Sequence, residues 1–182
     1  MAKKIIKKRN FFVTLNELRP VVQGCMVIDG SRIAYIGPEA PLPLEQYDEI
    51  IDGERKLYMP GLVNTHGHAA MSYLRGYADD LALQVWLEEK MWPIEGKFTA
   101  KDVYWGTSLS VLEMLKFGTT TFVDMYDHMD EVAAVVEQSG MRAVLARGVI
   151  GLCPADVQDA KLREAVQFAK DWNGKRTDAY PR

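Results

Sequence analysis

The sequence predicts an α/β chain in two parts: a small antiparallel β-unit over residues 1–57, then strands alternating with helices over residues 58–182. Three observations predict it. Short β-rich runs separated by turn residues fill the first part, among them Asp29-Gly30 between two apolar runs. From Leu57 onward, strand-like runs alternate with helical patterns, the signature of βα units on a parallel sheet. Finally, His66 and His68 stand one residue apart at the end of the first of these runs, and parallel-barrel strands carry their chemistry at that C-terminal end.

In the first part, residues 3–15 alternate basic and apolar groups, from Lys3, Lys4, Ile5 and Ile6 to Phe11, Phe12 and Val13. The lysines read as a solvated strand face. Val21 to Val27 is a second strand. The run Cys25 to Ile28, the pair Asp29-Gly30 and the run Arg32 to Ile36 read as a hairpin with a type I′ turn. Gly37-Pro38 ends it, Pro41 and Pro43 mark a loop, and Glu49 to Gly53 is a short strand and turn.

In the second part, Pro60-Gly61 gives a sharp entry to a first strand expected to run extended from Leu62 to His68. A long excursion follows from Ala69 to Phe98, rich in aromatics and Met, and is expected to cover the site. Thr99-Ala100-Lys101-Asp102 resembles a capping box. Trp105, Leu109, Leu112 and Leu115 then recur at helical spacing and are expected in the core, with Gly118 closing the helix. Thr119 to Asp124 is a buried strand. Asp127 is placed to cap a helix from His128 to Ser139, ended by Gly140. Arg142 to Ile150 is a third strand, and Asp156 or Asp159 opens a helix through Trp172, closed by Asn173-Gly174. No strand signal follows over Lys175 to Arg182.

The chemistry centres on His66 and His68, two of the chain's three histidines. Residues i and i+2 of a strand project from one face. Two neutral imidazoles converging there make half of a metal site suited to zinc or iron. A lone histidine is more often a satisfied polar residue; the Pro-Gly turn and the apolar strand in front raise this pair above that reading. The third histidine, His128, reads as a surface or helix-start residue.

Size and charge narrow the function classes. The 182 residues suffice for one good-sized core, and 48% hydrophobic with 26% charged residues is ordinary for a soluble globular chain. A net charge of -3 gives no electrostatic reason to expect a nucleic acid as partner. No apolar run approaches the roughly 18 residues of a membrane span, and no apolar core of a secretory signal follows Met1-Ala2-Lys3-Lys4. Cys25 and Cys153, isolated in sequence, read as reduced thiols in a cytoplasmic protein.

The run MPGLVNTHGHAAMSYLRGYADDLALQVWLEEKMWPIE, from Met59 to Glu95, resembles the amidohydrolase superfamily. Within it, the run is most similar to the branch of S-adenosylhomocysteine/5′-methylthioadenosine deaminases and related chlorohydrolases. The resemblance extends to about Gly174. It implies a metal-dependent hydrolase (β/α)8 TIM barrel with a flanking β-sandwich. Such a barrel alone takes about 250 residues, so this chain is expected to hold the N-terminal portion of the β-sandwich and about three βα units of the barrel. The third parallel strand then has an open edge, a route to a homo-oligomer.

The resemblance further implies hydrolytic deamination of an adenosine-type, nucleoside-like substrate, with a chlorohydrolase or guanine-deaminase-like activity as alternatives. A truncated, inactive fragment is an alternative of another class. The implied metal lowers the pKa of a bound water to about 7. By the resemblance, His66 and His68 are ligands, while the remaining ligands and the acid/base glutamate lie on strands beyond this chain. Glu95 matches a carboxylate that binds ribose hydroxyls, as a carboxylate is a natural acceptor for a vicinal diol. Trp86 matches an aromatic lining the substrate pocket, and Arg147 an arginine that reaches the substrate's tail. A second arginine of that pattern aligns with Lys161. Asp124, in Asp124-Met125-Tyr126, matches a motif of mainly structural role.

Overall fold

In the computed structural model, which describes residues 3–174, the chain divides between Pro60 and Gly61 into two units. The first holds strands β1 (Lys3–Val13), β2 (Val21–Asp29), β3 (Arg32–Gly37), β4 (Glu49–Asp52) and β5 (Leu57–Tyr58). The sheet order is β3-β2-β1-β4, with β5 also beside β1. The antiparallel expectation holds for β1, β2 and β3. It is corrected for β4 and β5, which pair parallel with β1 along Lys4–Lys7 and beside Phe11 and Phe12. After the hairpin, the chain crosses through a 3-10 turn at Leu44–Gln46 and re-enters beside β1 in the same direction, as a parallel neighbour requires.

The hairpin loop is Gly30-Ser31, because Asp29 faces Arg32 across the ladder. A type I′ turn needs both loop residues at positive φ. Here only Gly30, at φ 59°, has it, so the II′ pattern replaces the expected I′. Strand alternation gives the sheet two apolar faces. Ile5, Cys25, Val27 and Tyr47 cluster on one, and Ile6, Phe12 and Met26 on the other.

The second unit is built on a parallel sheet of β6 (Leu62–Asn64), β7 (Thr119–Tyr126) and β8 (Arg142–Arg147), in that order. Its helices are α1 (Leu83–Val85), α2 (Trp92–Glu95), α3 (Ala100–Lys116), α4 (Met129–Ser139) and α5 (Ala155–Trp172). A 3-10 helix at Ala69–Leu74 follows the histidine pair, and a π-helical turn at Trp86–Met91 joins α1 to α2. The core gathers Phe122 of β7 with Val111, Val135, Val136 and Met141. A second cluster joins Ala70 and Val103 to Met129, Val132 and Phe168. None of the described helices is long and apolar enough to cross a membrane.

Helix α3 begins as its sequence requires: Thr99 accepts from the Asp102 amide and Asp102 accepts from the Thr99 amide. The face it buries differs from expectation. Val103, Gly106, Thr107 and Val111 are inside, while Trp105, Leu109, Leu112 and Leu115 are exposed. Gly106 gives the reason. A Cβ there would stand 2.4 Å from the Ala70 carbonyl oxygen, so the helix presses its small-residue side against the 3-10 helix. Residues two apart lie about 200° apart around a helix, which turns the bulky stripe away.

Three boundaries also shift. Strand β8 ends at Arg147, short of Ile150. The residue at the N-cap of α4 is His128 in the left-handed region, with no side-chain cap from Asp127. Pro154, not Asp156 or Asp159, precedes α5. The expectation for Lys175 to Arg182 lies outside the described residues.

The burial of α3 makes a direct test. Val111→Ala removes packed methyl groups and is expected to lower unfolding stability by about 2 kcal/mol. Leu112→Ala, at a position 55% exposed, should change it by no more than about 0.5 kcal/mol. Urea unfolding of both variants checks the pair, and the reverse ranking would restore the Trp105–Leu115 stripe as the buried face.

Candidate functional site

Strand β6 is too short to carry the histidines. It stops at Asn64, opposite Phe122 of β7, while β7 runs on to Tyr126. His66 and His68 therefore lie in the segment after the strand, correcting the extended run expected through His68. That segment occupies the edge of β7 that β6 leaves open. His68 Nδ1 lies 2.8 Å from the Met125 carbonyl oxygen. A carbonyl only accepts, so in the neutral ring Nδ1 carries the proton and Nε2 keeps its lone pair. The Ala69 amide donates to both oxygens of Asp124, at 3.3 and 3.2 Å, and the Met125 amide donates to the same carboxylate at 2.9 Å. The His66 amide donates to Asn64 Oδ1 at 3.2 Å.

The two imidazoles are neighbours, with ring centroids 5.0 Å apart and ring planes at 83°. His66 is exposed and His68 half-buried. A ring held at Nδ1 by a backbone carbonyl, with Nε2 open, is the arrangement of a metal-ligating histidine. Two neighbouring imidazoles are donors of the type that a divalent metal takes. Among the described residues, no group of three or more His, Cys, Asp or Glu is placed to hold a metal. Asp124 is 1% exposed. Burial pushes its carboxyl above the usual range, against the pull of the Ala69 and Met125 amides and the charges of His68 and His66.

A cavity of about 470 Å³ opens beside the pair, lined by His68, Trp86, Glu95, Tyr126, His128 and Lys161 among others. The structure therefore brings Trp86, Glu95 and His68 together. Trp86 donates its indole N–H to the Ala78 carbonyl at 3.1 Å. The Tyr126 hydroxyl donates to Glu95 Oε1 at 2.6 Å, tying the excursion to the end of β7. The Tyr126 ring also lies 6.5 Å from that of His68. Cys25 is buried, and Cys153 lines the cavity; both are free thiols.

Arg147, expected at the substrate's tail, is engaged elsewhere. Its guanidinium donates to Asp127, to Glu164 at 3.0 Å and to the Gly148 carbonyl at 2.6 Å. Its side chain is 11% exposed, and it is not among the cavity's lining residues. Two carboxylates from β7's end and α5 hold it as a strut. Lys161 is the residue of that expected pair that reaches the cavity.

Tyr126 is not among the candidates that the sequence pattern offers, yet it lines the cavity. Its signal was strand alternation: Asp124 and Tyr126 share a face at the C-terminal end of a barrel-type strand. The partners of Arg147 carried no such signal, because Asp127 read as a helix cap and Glu164 lies mid-helix.

A sequence model described as the amidohydrolase family matches residues 57–180. A 5-methylthioadenosine/S-adenosylhomocysteine deaminase of Desulforamulus reducens is 50% identical over 153 residues, covering 84% of this chain and 35% of that relative. The chain thus spans little more than a third of that relative's length. Among solved structures, a triazine hydrolase from Arthobacter aurescens superposes with a TM-score of 0.82 at 19% identity, covering 97% of this chain and 44% of that one. An adenosine deaminase from Xanthomonas campestris with bound zinc has a TM-score of 0.70 at 26% identity, covering 96% of this chain and 40% of that one. These likenesses give the fold: the N-terminal portion of a TIM barrel and its flanking β-unit.

The Tyr126 contact carries a pH signature. Burial, then the hydrogen bond to Glu95 and the charges of Glu95, Asp127 and Asp124, push the phenol well above the usual tyrosine range. The native state then holds this proton more tightly than the unfolded chain. The resulting stabilisation is complete below about pH 10, the unfolded tyrosine value, and is lost as pH rises from there toward the raised native value. Ultraviolet titration of the native protein checks it. At about pH 11, wild type and Tyr126→Phe should show equal tyrosinate absorbance; an excess in wild type would mean that Tyr126 ionises like an exposed phenol.

Proposed function

The chain belongs to the amidohydrolase family, and from that premise we propose that it carries the first half of the metal site and the ribose side of the substrate pocket of a C–N hydrolase. The substrate class is an adenosine-type nucleoside: adenosine, methylthioadenosine or S-adenosylhomocysteine. In this reaction water adds to the ring carbon bearing the exocyclic amine. The water's oxygen becomes the carbonyl oxygen, and the amine leaves as ammonia.

The observation that carries the reading is one cavity lined by a histidine of the pair and by the Glu95 carboxylate. His66 and His68 would hold a divalent cation, for which zinc fits two imidazoles well. Such a cation, when bound, supplies Lewis-acid activation of water at neutral pH. The chain's own residues do the rest of what is proposed here. Met125 and Asp124 orient His68. Glu95 accepts from the ribose hydroxyls, an acceptor matched to a vicinal diol. Trp86, its N–H already used on Ala78, offers an apolar ring to the base. Glu95 also favours a ribose-bearing substrate over the triazine named for one of the similar structures.

Two imidazoles leave most of a cation's coordination to water, so binding to this chain alone should be weak. Calorimetric titration with zinc is expected to give a saturable site that disappears in both His66→Ala and His68→Ala. Binding that survives both substitutions would contradict the assignment. With zinc added, this chain is expected to release no ammonia from adenosine, methylthioadenosine or S-adenosylhomocysteine. Clear turnover lost in His66→Ala would mean that the other ligands come from within these residues or from a second copy.

A further inference from the structure

We propose that Tyr126 is a positioning residue for Glu95, and that it thereby sets a preference for ribonucleosides over 2′-deoxyribonucleosides. The inference rests on the reading of Glu95 as the ribose acceptor. It stands on a different contact.

Glu95 is the last residue of α2, a four-residue helix in the excursion between β6 and α3. Its backbone is therefore not fixed by the sheet. Its carboxylate is nevertheless tied to the sheet by one bond, from the Tyr126 hydroxyl to Oε1 at 2.6 Å. That length belongs to the strong, charge-assisted class of O–H···O⁻ contacts. Tyr126 is itself set by β7, whose backbone pairs with β8 up to the Tyr126–Arg147 match. The chain of support thus runs from the sheet, through the phenol, to the carboxylate.

The chemistry of the contact decides what it does to a ligand. An ionised carboxylate has about four acceptor positions on its two oxygens. The phenol takes one of them on Oε1. It leaves Oε2 and the second position of Oε1 unused by the phenol, and both residues line the same cavity. A vicinal diol presents two hydroxyl donors at a fixed spacing, so it gains most from a carboxylate whose plane does not rotate. A 2′-deoxyribose presents one, and a single bond tolerates a swivelling acceptor. Loss of the phenolic hydroxyl should therefore weaken the ribonucleoside selectively. The same tyrosine ring lies 6.5 Å from His68, so the ribose acceptor is also held at a set distance from the histidine pair.

The test is equilibrium binding of adenosine and of 2′-deoxyadenosine to the 182-residue chain, followed by two-dimensional NMR in wild type, Tyr126→Phe and Glu95→Gln. Wild type should prefer adenosine, and Glu95→Gln should abolish the preference. Tyr126→Phe should weaken adenosine by about tenfold, the size of a hydrogen bond to a charged group, and leave 2′-deoxyadenosine unchanged. A purely structural tie between α2 and β7 would instead weaken both nucleosides alike, which overturns the inference. Loss of preference in Glu95→Gln with full preference kept in Tyr126→Phe also overturns it, while leaving the Glu95 reading intact. Unchanged preference in Glu95→Gln, or no adenosine preference in wild type, overturns the Glu95 reading itself. A second readout needs no variant. In the unmutated chain the Glu95 carboxyl carbon and the Tyr126 ring resonances should shift together on adding adenosine, and less with 2′-deoxyadenosine; shifts in one without the other would break the link.

Discussion

The arrangement of the second unit depends on a buried carboxylate at the end of its central strand. Asp124 is almost wholly enclosed, and its oxygens are used by the amides of Ala69 and Met125. A buried carboxylate without such donors would be strongly unfavourable. The Ala69 amide can reach it only if the chain turns sharply after His68. The 3-10 helix that follows, the close approach of α3 at Gly106 and the placing of His68 against Met125 all follow from that turn. One polar requirement inside an apolar sheet end thus fixes the direction of His68.

The same strand end serves three neighbours through consecutive residues. Met125 offers its carbonyl to His68, Tyr126 its hydroxyl to Glu95, and Asp127 its carboxylate to Arg147. Strand β7 extends past β6 on one side and stays paired with β8 on the other. It is therefore rigid where it is paired and open where it meets the loops. Loops on a parallel sheet carry function because a rigid strand end can position them in this way. Arg147, tied to both Asp127 and Glu164, links β8 and α5 to this group without entering the cavity.

Local chemistry made much of this legible in the sequence. The Asp29-Gly30 hairpin, the Thr99–Asp102 capping box and the glycine stops at Gly118 and Gly140 depend on residues a few positions apart, and each lies where the pattern puts it. The histidine pair and Glu95 were legible through the long run they share with a known family. What escaped was set by partners distant in sequence. The bulky stripe of α3 reads as core by periodicity, yet the tight approach of the Ala70 backbone selects the small-residue face. Asp127 reads as a cap, yet Arg147, twenty residues away, claims it. The parallel pairing of β4 and β5 turns on a crossover that no local pattern encodes. Tyr126 shares a strand face with Asp124, but its bond to Glu95 spans an excursion of irregular and short helical segments.

The central claim is that the end of β7 fixes His68 with its proton on Nδ1 and its Nε2 lone pair free. The most direct measurement is a long-range proton–nitrogen correlation spectrum of the imidazoles in the metal-free chain at alkaline pH, where histidine is neutral. The account predicts a single Nδ1–H tautomer for His68 in wild type, giving way to a mixture in Asp124→Ala. An Nε2–H tautomer in wild type, or a tautomer indifferent to Asp124→Ala, would contradict it.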